Sequence, residues 1–198
     1  MGDWIGTLIR DGGYLAVAGL MLLETIFPPV PSEIIMSFAG VQAGKGELSL
    51  PGAIAAGVIG AMIGNLAWYL VARRLGVDRF KRLVRRHGRW LTLQEKEVDR
   101  ADRFFDRWNR WFVCLGRLVP TVRSLVSIPA GLFEMPLASF LVWSTLGTTG
   151  WTAALAYAGH ALGERYGDID RWLGPISNGI LVALLVVYVW RVIRWRKA

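Results

Sequence analysis

The chain has 198 residues, 54% of them hydrophobic, and 10 tryptophans. That is the length of one domain, and the apolar residues fall in long blocks, which excludes an ordinary soluble protein. The net charge of +8 is no argument for nucleic acid, because much of it lies between Arg73 and Arg110 and in the tail RVIRWRK, flanking apolar spans. Cys114 stands alone in an apolar stretch, so no intrachain disulfide forms.

The start, MGDWIGTLIRDGG, carries one Arg against two Asp, and no small-residue cleavage site follows, so no cleavable signal peptide is expected. Residues 13–27 are apolar but fall short of the ~20 residues a span needs. The break FPPVP follows, then a second short apolar arm. Together residues 13–44 predict a re-entrant hairpin with Pro28, Pro29 and Pro31 as its elbow. Irregular backbone at membrane depth survives only when buried in protein or lining a wet cavity.

Residues 51–72 predict a full span of roughly 33 Å at about 1.5 Å per residue, ended by Arg73 and Arg74 on the cytoplasmic side. Gly57, Gly60 and Gly64 recur along it and offer grooves for close helix packing. Residues 77–110 are polar and basic. Thr92 and Glu95 have capping-box spacing, and Val98, Ala101, Phe104, Phe105, Trp108 and Trp111 recur opposite Arg100, Arg103, Arg107 and Arg110. This predicts a cytoplasmic amphipathic helix, whose apolar stripe lies either in the membrane interface or on the protein's own core.

Residues 112–131 repeat the hairpin pattern around Pro120, with Pro129 near the exit. Residues 136–162 predict a second span and residues 175–192 a third, whose basic tail holds the C-terminus in the cytoplasm. The acids of GERYGDIDRW place that loop outside. The expected fold is all-α and integral to the membrane: about three full transmembrane helices, two opposed re-entrant helical hairpins and a cytoplasmic amphipathic helix. The two broken segments suggest a pseudo-repeat.

The chemistry lies in four charges inside those broken segments. Glu24 and Glu33 flank the first elbow, and Arg117 and Arg123 flank Pro120. A charge at bilayer depth costs at least ~2.5 kcal/mol, which marks a functional site. On unbroken helices the glutamates would lie about 180° apart and the arginines about 120° apart. The prolines allow each pair to fold back toward one point. Two Glu–Arg pairs would serve a structural role poorly, since buried ion pairs stabilise less than apolar packing.

Arginine forks suit phosphate, and a desolvated carboxylate binds protons more readily than an exposed one. Together the four describe a site that takes an anionic headgroup and couples its movement to protons. No soluble-enzyme signature is present, and His87 and His160 are too far apart in the sequence to read as a metal pair, so neither catalytic nor metal-ligating residues nor a cofactor are expected.

The blocks ETIFPPVPSEIIMSFAG, GAMIGNLAWYLVARRLG and GRLVPTVRSLVSIPAGLFEM, followed by Phe140 through Gly150 and Trp151 and by Gly159 and Gly163, resemble the DedA family, the bacterial branch of the SNARE-associated or VTT-domain membrane proteins. The resemblance covers roughly residues 20–165. It implies a multi-pass protein of the bacterial inner membrane with two opposed hairpins that carries lipid across the bilayer.

The implied cargo is undecaprenyl phosphate, returned to the cytoplasmic leaflet at the expense of the proton-motive force. The family's acids fall on Glu24 and Glu33, and its arginines on Arg117 and Arg123. Two positions depart from the family pattern, Asn65 where an acid is common and Ser144 where an Asn is common. The expectation is therefore a lipid transporter, not an enzyme. Arg117 and Arg123 would bind the lipid phosphate, and Glu24 and Glu33 would exchange protons or gate. Its partners would be polyprenyl phosphate or phospholipid and protons, with a homo-oligomer allowed for. The rival readings are a phospholipid scramblase, a proton-linked antiporter, or a structural protein supporting the envelope.

Overall fold

The computed structural model of the chain describes residues 2–27, 32–91, 95–120 and 122–162. All regular structure among them is helical: α1 (Gly2–Ile26), α2 (Ser32–Gly44), α3 (Leu50–Leu91), α4 (Glu95–Gly116), α5 (Ser127–Leu132) and α6 (Leu137–Leu162). α3 and α6 form the spine. α1 and α5 pack on α3, α2 and α4 pack on α6, and the two spine helices touch each other.

α1 is two helices joined at Gly13, whose φ of 53° and ψ of −136° lie outside the helical region. Glycine adopts that conformation without the steric cost a side chain would bring. The apolar arm expected from residue 13 therefore begins at a real break. It also has a helical extension upstream, so that Trp4–Ile26 (23 residues) has the length and composition to cross a membrane. Leu50–Arg85 is the other stretch that does. α6 is 26 residues long but is interrupted by Ser139, Ser144, Thr145, Thr148, Thr149 and Thr152, and it is not among the helices meeting that hydropathy criterion. The expected elbow prolines Pro28, Pro29 and Pro31, Thr92 of the capping box, and the third span at 175–192 lie outside the described residues.

Two boundaries differ from the sequence reading. The helix expected over 51–72 continues to Leu91. Arg73 and Arg74 mark where apolar composition ends, but arginine is a good helix former and does not stop the backbone. Gly76, with φ +70°, marks a local irregularity along the way. The polar segment 77–110 is thus divided between the tail of α3 and α4, and α4 runs on to Gly116, through the start of the segment expected as the second hairpin. No proline or glycine interrupts Glu95–Cys114, so nothing in the sequence ends that helix earlier.

The amphipathic face of α4 divides in two. Val98, Phe105 and Val113 are buried against the spine, while Phe104, Trp108, Trp111 and Leu115 form an exposed apolar stripe. One face of the helix therefore packs on the protein's own core, and the other leaves apolar side chains exposed. Lys81 of α3 pairs with Asp99 of α4 at 2.6 Å, tying the two helices together. The Lys81 ammonium holds the Asp99 carboxyl below its ordinary pKa. The stability it contributes is present above the ordinary carboxylate range and is lost as pH falls through the lowered value.

Close packing depends on glycine. A methyl at Gly60 would collide with the backbone of Ala18 on α1, and one at Gly131 with the carbonyl of Tyr69 on α3. α2 and α6 cross reciprocally, with Gly40 against the Ala156 backbone and Gly159 against that of Ser37. Gly40→Ala would have to push two backbones apart. A loss of about 1–3 kcal/mol is expected from such overpacking, read as a lower melting temperature of the detergent-solubilised protein. Unchanged melting would contradict the contact.

Two apolar clusters result. One joins α1, α2, α3 and α6 around Met21, Ile35, Met36 and Ala156. The other surrounds Tyr69, Phe105, Val126 and Phe140. Between them on α3 lies Asn65, and on α6 lie Ser144, Thr148 and Thr152, all buried. The spacing of four places the three α6 residues along one face, so a polar layer crosses the protein interior between two greasy ones.

Candidate functional site

The polar layer is completed by two breaks in the helical framework. α1 ends at Ile26, leaving Glu24 in its last turn, 6% exposed. Between α4 and α5 the chain passes through successive turns around Pro120, with Arg123 N–H donating to Val119 O at 3.0 Å and Val126 N–H to Val122 O at 3.1 Å. Those turns satisfy their own amides, which lets irregular backbone exist away from water. They also carry Arg117 in at one end and Arg123 in the middle. Pro120 itself is exposed at this bend.

Glu24 and Arg123 form a direct ion pair across the two breaks, with side chains 8% and 12% exposed respectively. The Arg123 guanidinium also lies 5.8 Å from the ring centroid of Trp151. Of the four charges expected at one site, Glu24 and Arg123 meet directly, while Glu33 and Arg117 are placed otherwise. Glu33, in the first turn of α2, is half-buried and interacts electrostatically with Glu24. It is not among the residues lining the cavity described below.

Arg117 is held differently. It is 2% exposed, and its guanidinium meets oxygens from three helices and one connection. Nε donates to Ser144 Oγ at 2.9 Å, Nη1 to Asn65 Oδ1 at 2.8 Å, and Nη2 to Ser127 Oγ at 2.7 Å, while Nη1 also donates to the Arg123 carbonyl. The Phe140 ring centroid lies 5.9 Å away. Its hydrogen-bond partners are neutral, and they bind α3, α5 and α6 into one unit. Asn65 and Ser144, the two departures from the family pattern, are both direct partners of this arginine.

The two arginines were expected to act alike, and their environments separate them. Arg117 spends its donors on the protein. Arg123 shares its charge with a single carboxylate at the edge of a cavity of about 20 Å³, lined by Glu24, Thr25, Ala61, Asn65, Arg117, Arg123, Ser124, Thr148 and Trp151. That volume holds about one water molecule, so a phosphate group would fit only after Glu24 and Arg123 part. Ser127, Thr148 and Trp151 were not picked out as site residues. For Thr148 the available signal was the spacing of four that it shares with Ser144 and Thr152 on α6.

Comparison with known proteins identifies the family. The family model described as VTT domain matches residues 30–161, which includes every cavity-lining residue except Glu24 and Thr25. A Staphylococcus aureus protein named undecaprenyl phosphate transporter A is 35% identical over 191 residues, covering 96% of this chain and 94% of its own. A Bacillus subtilis protein of the same name is 30% identical over 193 residues, covering 97% and 93%. An "alkaline phosphatase-like protein" of Lactococcus lactis subsp. lactis is 38% identical over 190 residues, covering 96% and 89%. No solved structure matches significantly. By its family match and by relatives that align along nearly its whole length, the chain belongs to the VTT-domain (DedA) family of membrane proteins.

Proposed function

We propose that this protein carries a polyprenyl phosphate, most simply undecaprenyl phosphate, across the bacterial inner membrane, with its C-terminus in the cytoplasm. The observation carrying the proposal is the buried Glu24–Arg123 pair at the junction of two helix breaks, beside a cavity. Two relatives named for transport of that lipid support the choice of cargo. In this reading Arg123 exchanges its carboxylate for the lipid phosphate. Arg117, held by Asn65, Ser127 and Ser144, fixes the backbone that presents Arg123.

Glu24, released from Arg123, takes up a proton, which removes the penalty of leaving a bare carboxylate in a dry site. Glu33 adds a second negative charge near Glu24. The name alkaline phosphatase-like, borne by the Lactococcus relative, fits phosphate recognition as well as phosphate turnover. Among the described residues no histidine or cysteine lines the cavity, and we read the site as one that binds phosphate without hydrolysing it.

Proteoliposomes loaded with undecaprenyl phosphate test the coupling. Glu24→Gln keeps the size of the side chain and loses its titration, so transport should become independent of pH and slower by about tenfold or more, a factor worth ~1.4 kcal/mol. An unchanged pH profile would remove the proton from the mechanism.

A further inference from the structure

α6 lines the cavity with Thr148, a residue for which neither the sequence pattern nor the ion pair gives a role. Threonines inside helices ordinarily return their hydroxyl to a carbonyl three or four residues back. Two neighbours do so: Thr152 Oγ1 donates to Thr148 O at 2.9 Å, and Thr25 Oγ1 to Met21 O at 2.8 Å. Thr148 does not. It is 5% exposed, and its Oγ1 is buried with no hydrogen-bond partner among the described residues.

Buried polar atoms are nearly always paired, and leaving one unpaired costs stability. Neighbouring buried side chains are occupied, Asn65 and Ser144 by Arg117 and Glu24 by Arg123. Thr148 thus offers an unused hydroxyl in the cavity where Arg123 meets Glu24.

We infer that Thr148 is a ligand-contacting residue, whose hydroxyl donates a hydrogen bond to an oxygen of the phosphate monoester that replaces Glu24 on Arg123. The inference rests on reading the cavity as a lipid-phosphate site, and it adds a neutral donor to the charge pair. A guanidinium alone accepts any oxyanion. A hydroxyl placed beside it asks for a second oxygen on the same head, which a phosphate monoester has.

The test uses the full chain in detergent, with farnesyl phosphate as probe and farnesol and inorganic phosphate as comparisons. Thr148→Val keeps the shape and removes the donor, whereas Thr148→Ser keeps the donor. One hydrogen bond to a charged group corresponds to about tenfold in affinity, so Thr148→Val should bind farnesyl phosphate about tenfold more weakly. Without ligand, its melting temperature should equal or exceed that of the wild type, because the valine leaves no unpaired hydroxyl. Thr148→Ser should keep its affinity, and farnesol should not bind at this site.

Equal binding by Thr148→Val, or lost affinity in Thr148→Ser, would overturn the role of the hydroxyl. So would a lower melting temperature of unliganded Thr148→Val, which would mean that the hydroxyl serves the protein itself. Inorganic phosphate competing as strongly as farnesyl phosphate would keep the hydroxyl and overturn the lipid as its source. A wild type that binds none of the phosphates would overturn the transport reading together with this one. Intact wild-type binding with an indifferent Thr148→Val would overturn this one alone.

Discussion

Exchanging the two charges, Glu24→Arg together with Arg123→Glu, is expected to give a protein that folds and carries no lipid. Each single substitution leaves a buried charge facing a like charge, and breaking a buried pair costs about 3–5 kcal/mol. Glu24→Arg or Arg123→Glu alone should therefore lower yield and melting temperature sharply. The double exchange restores the attraction across the same two breaks, between the end of α1 and the turns after Pro120. It also moves the only cation of the pair from the connection carrying Arg123 to α1, away from Thr148 and Trp151 as they face Arg123 now.

If the pair were merely a lock, the exchange would restore transport along with stability. If Arg123 receives phosphate, transport stays absent although the protein is sound. Losing a bidentate, charge-assisted contact of about 3 kcal/mol or more would slow transport by at least about 100-fold. Arg123→Lys separates charge from shape in the same assay: it keeps the cation and loses the planar fork.

Replacing Arg117 should have a different consequence. Arg117→Met removes the centre of a network that joins Asn65 of α3, Ser127 of α5 and Ser144 of α6. It leaves Asn65 Oδ1 only the Ser127 hydroxyl, at 3.3 Å, and takes the guanidinium from Ser144 Oγ and the Arg123 carbonyl. A stranded acceptor costs about 1–3 kcal/mol, so a loss of about 2 kcal/mol or more is expected for the folded protein. Arg117→Lys is no rescue, because one ammonium cannot reach partners that a fork spreads among three helices. Size-exclusion profiles of fluorescently tagged variants should show Arg117→Met as largely aggregated and the Glu24→Gln, Arg123→Gln double variant, which leaves no unpaired charge, as less impaired. The reverse order would mean that the roles of the two arginines are interchanged.

That division of labour was not legible in the sequence. Four charges in two proline-broken segments could be recognised because charge in apolar surroundings is costly wherever it occurs, and proline shows where the chain can bend. The same reasoning allowed them to converge, and Glu24 and Arg123 are the two that pair. What separates Arg117 from Arg123 is which oxygens surround each guanidinium, and for Arg117 those come from residues as far apart as Asn65 and Ser144.

Asn65 and Ser144 stood out only as departures from the family pattern, and their position makes them partners of the buried arginine. Helix ends were misjudged where composition changes but propensity does not, as at Arg73 and Arg74, after which α3 continues. The apolar periodicity of α4 was visible, but Phe105 and Phe104 are adjacent in sequence and face opposite fates, one 3% and the other 51% exposed. Only the packing of α4 on α6 decides which of them is covered.

The most direct test of anion exchange at Arg123 is a flip assay in proteoliposomes that compares undecaprenyl phosphate with ordinary phospholipids, in the wild type and in the Glu24→Arg, Arg123→Glu double variant. Rapid movement of undecaprenyl phosphate by the wild type, slower movement of phospholipid, and no movement by a well-folded double variant is the predicted result. Full transport by the double variant would contradict it, since the pair would then be a brace between two helix breaks and the phosphate would bind elsewhere.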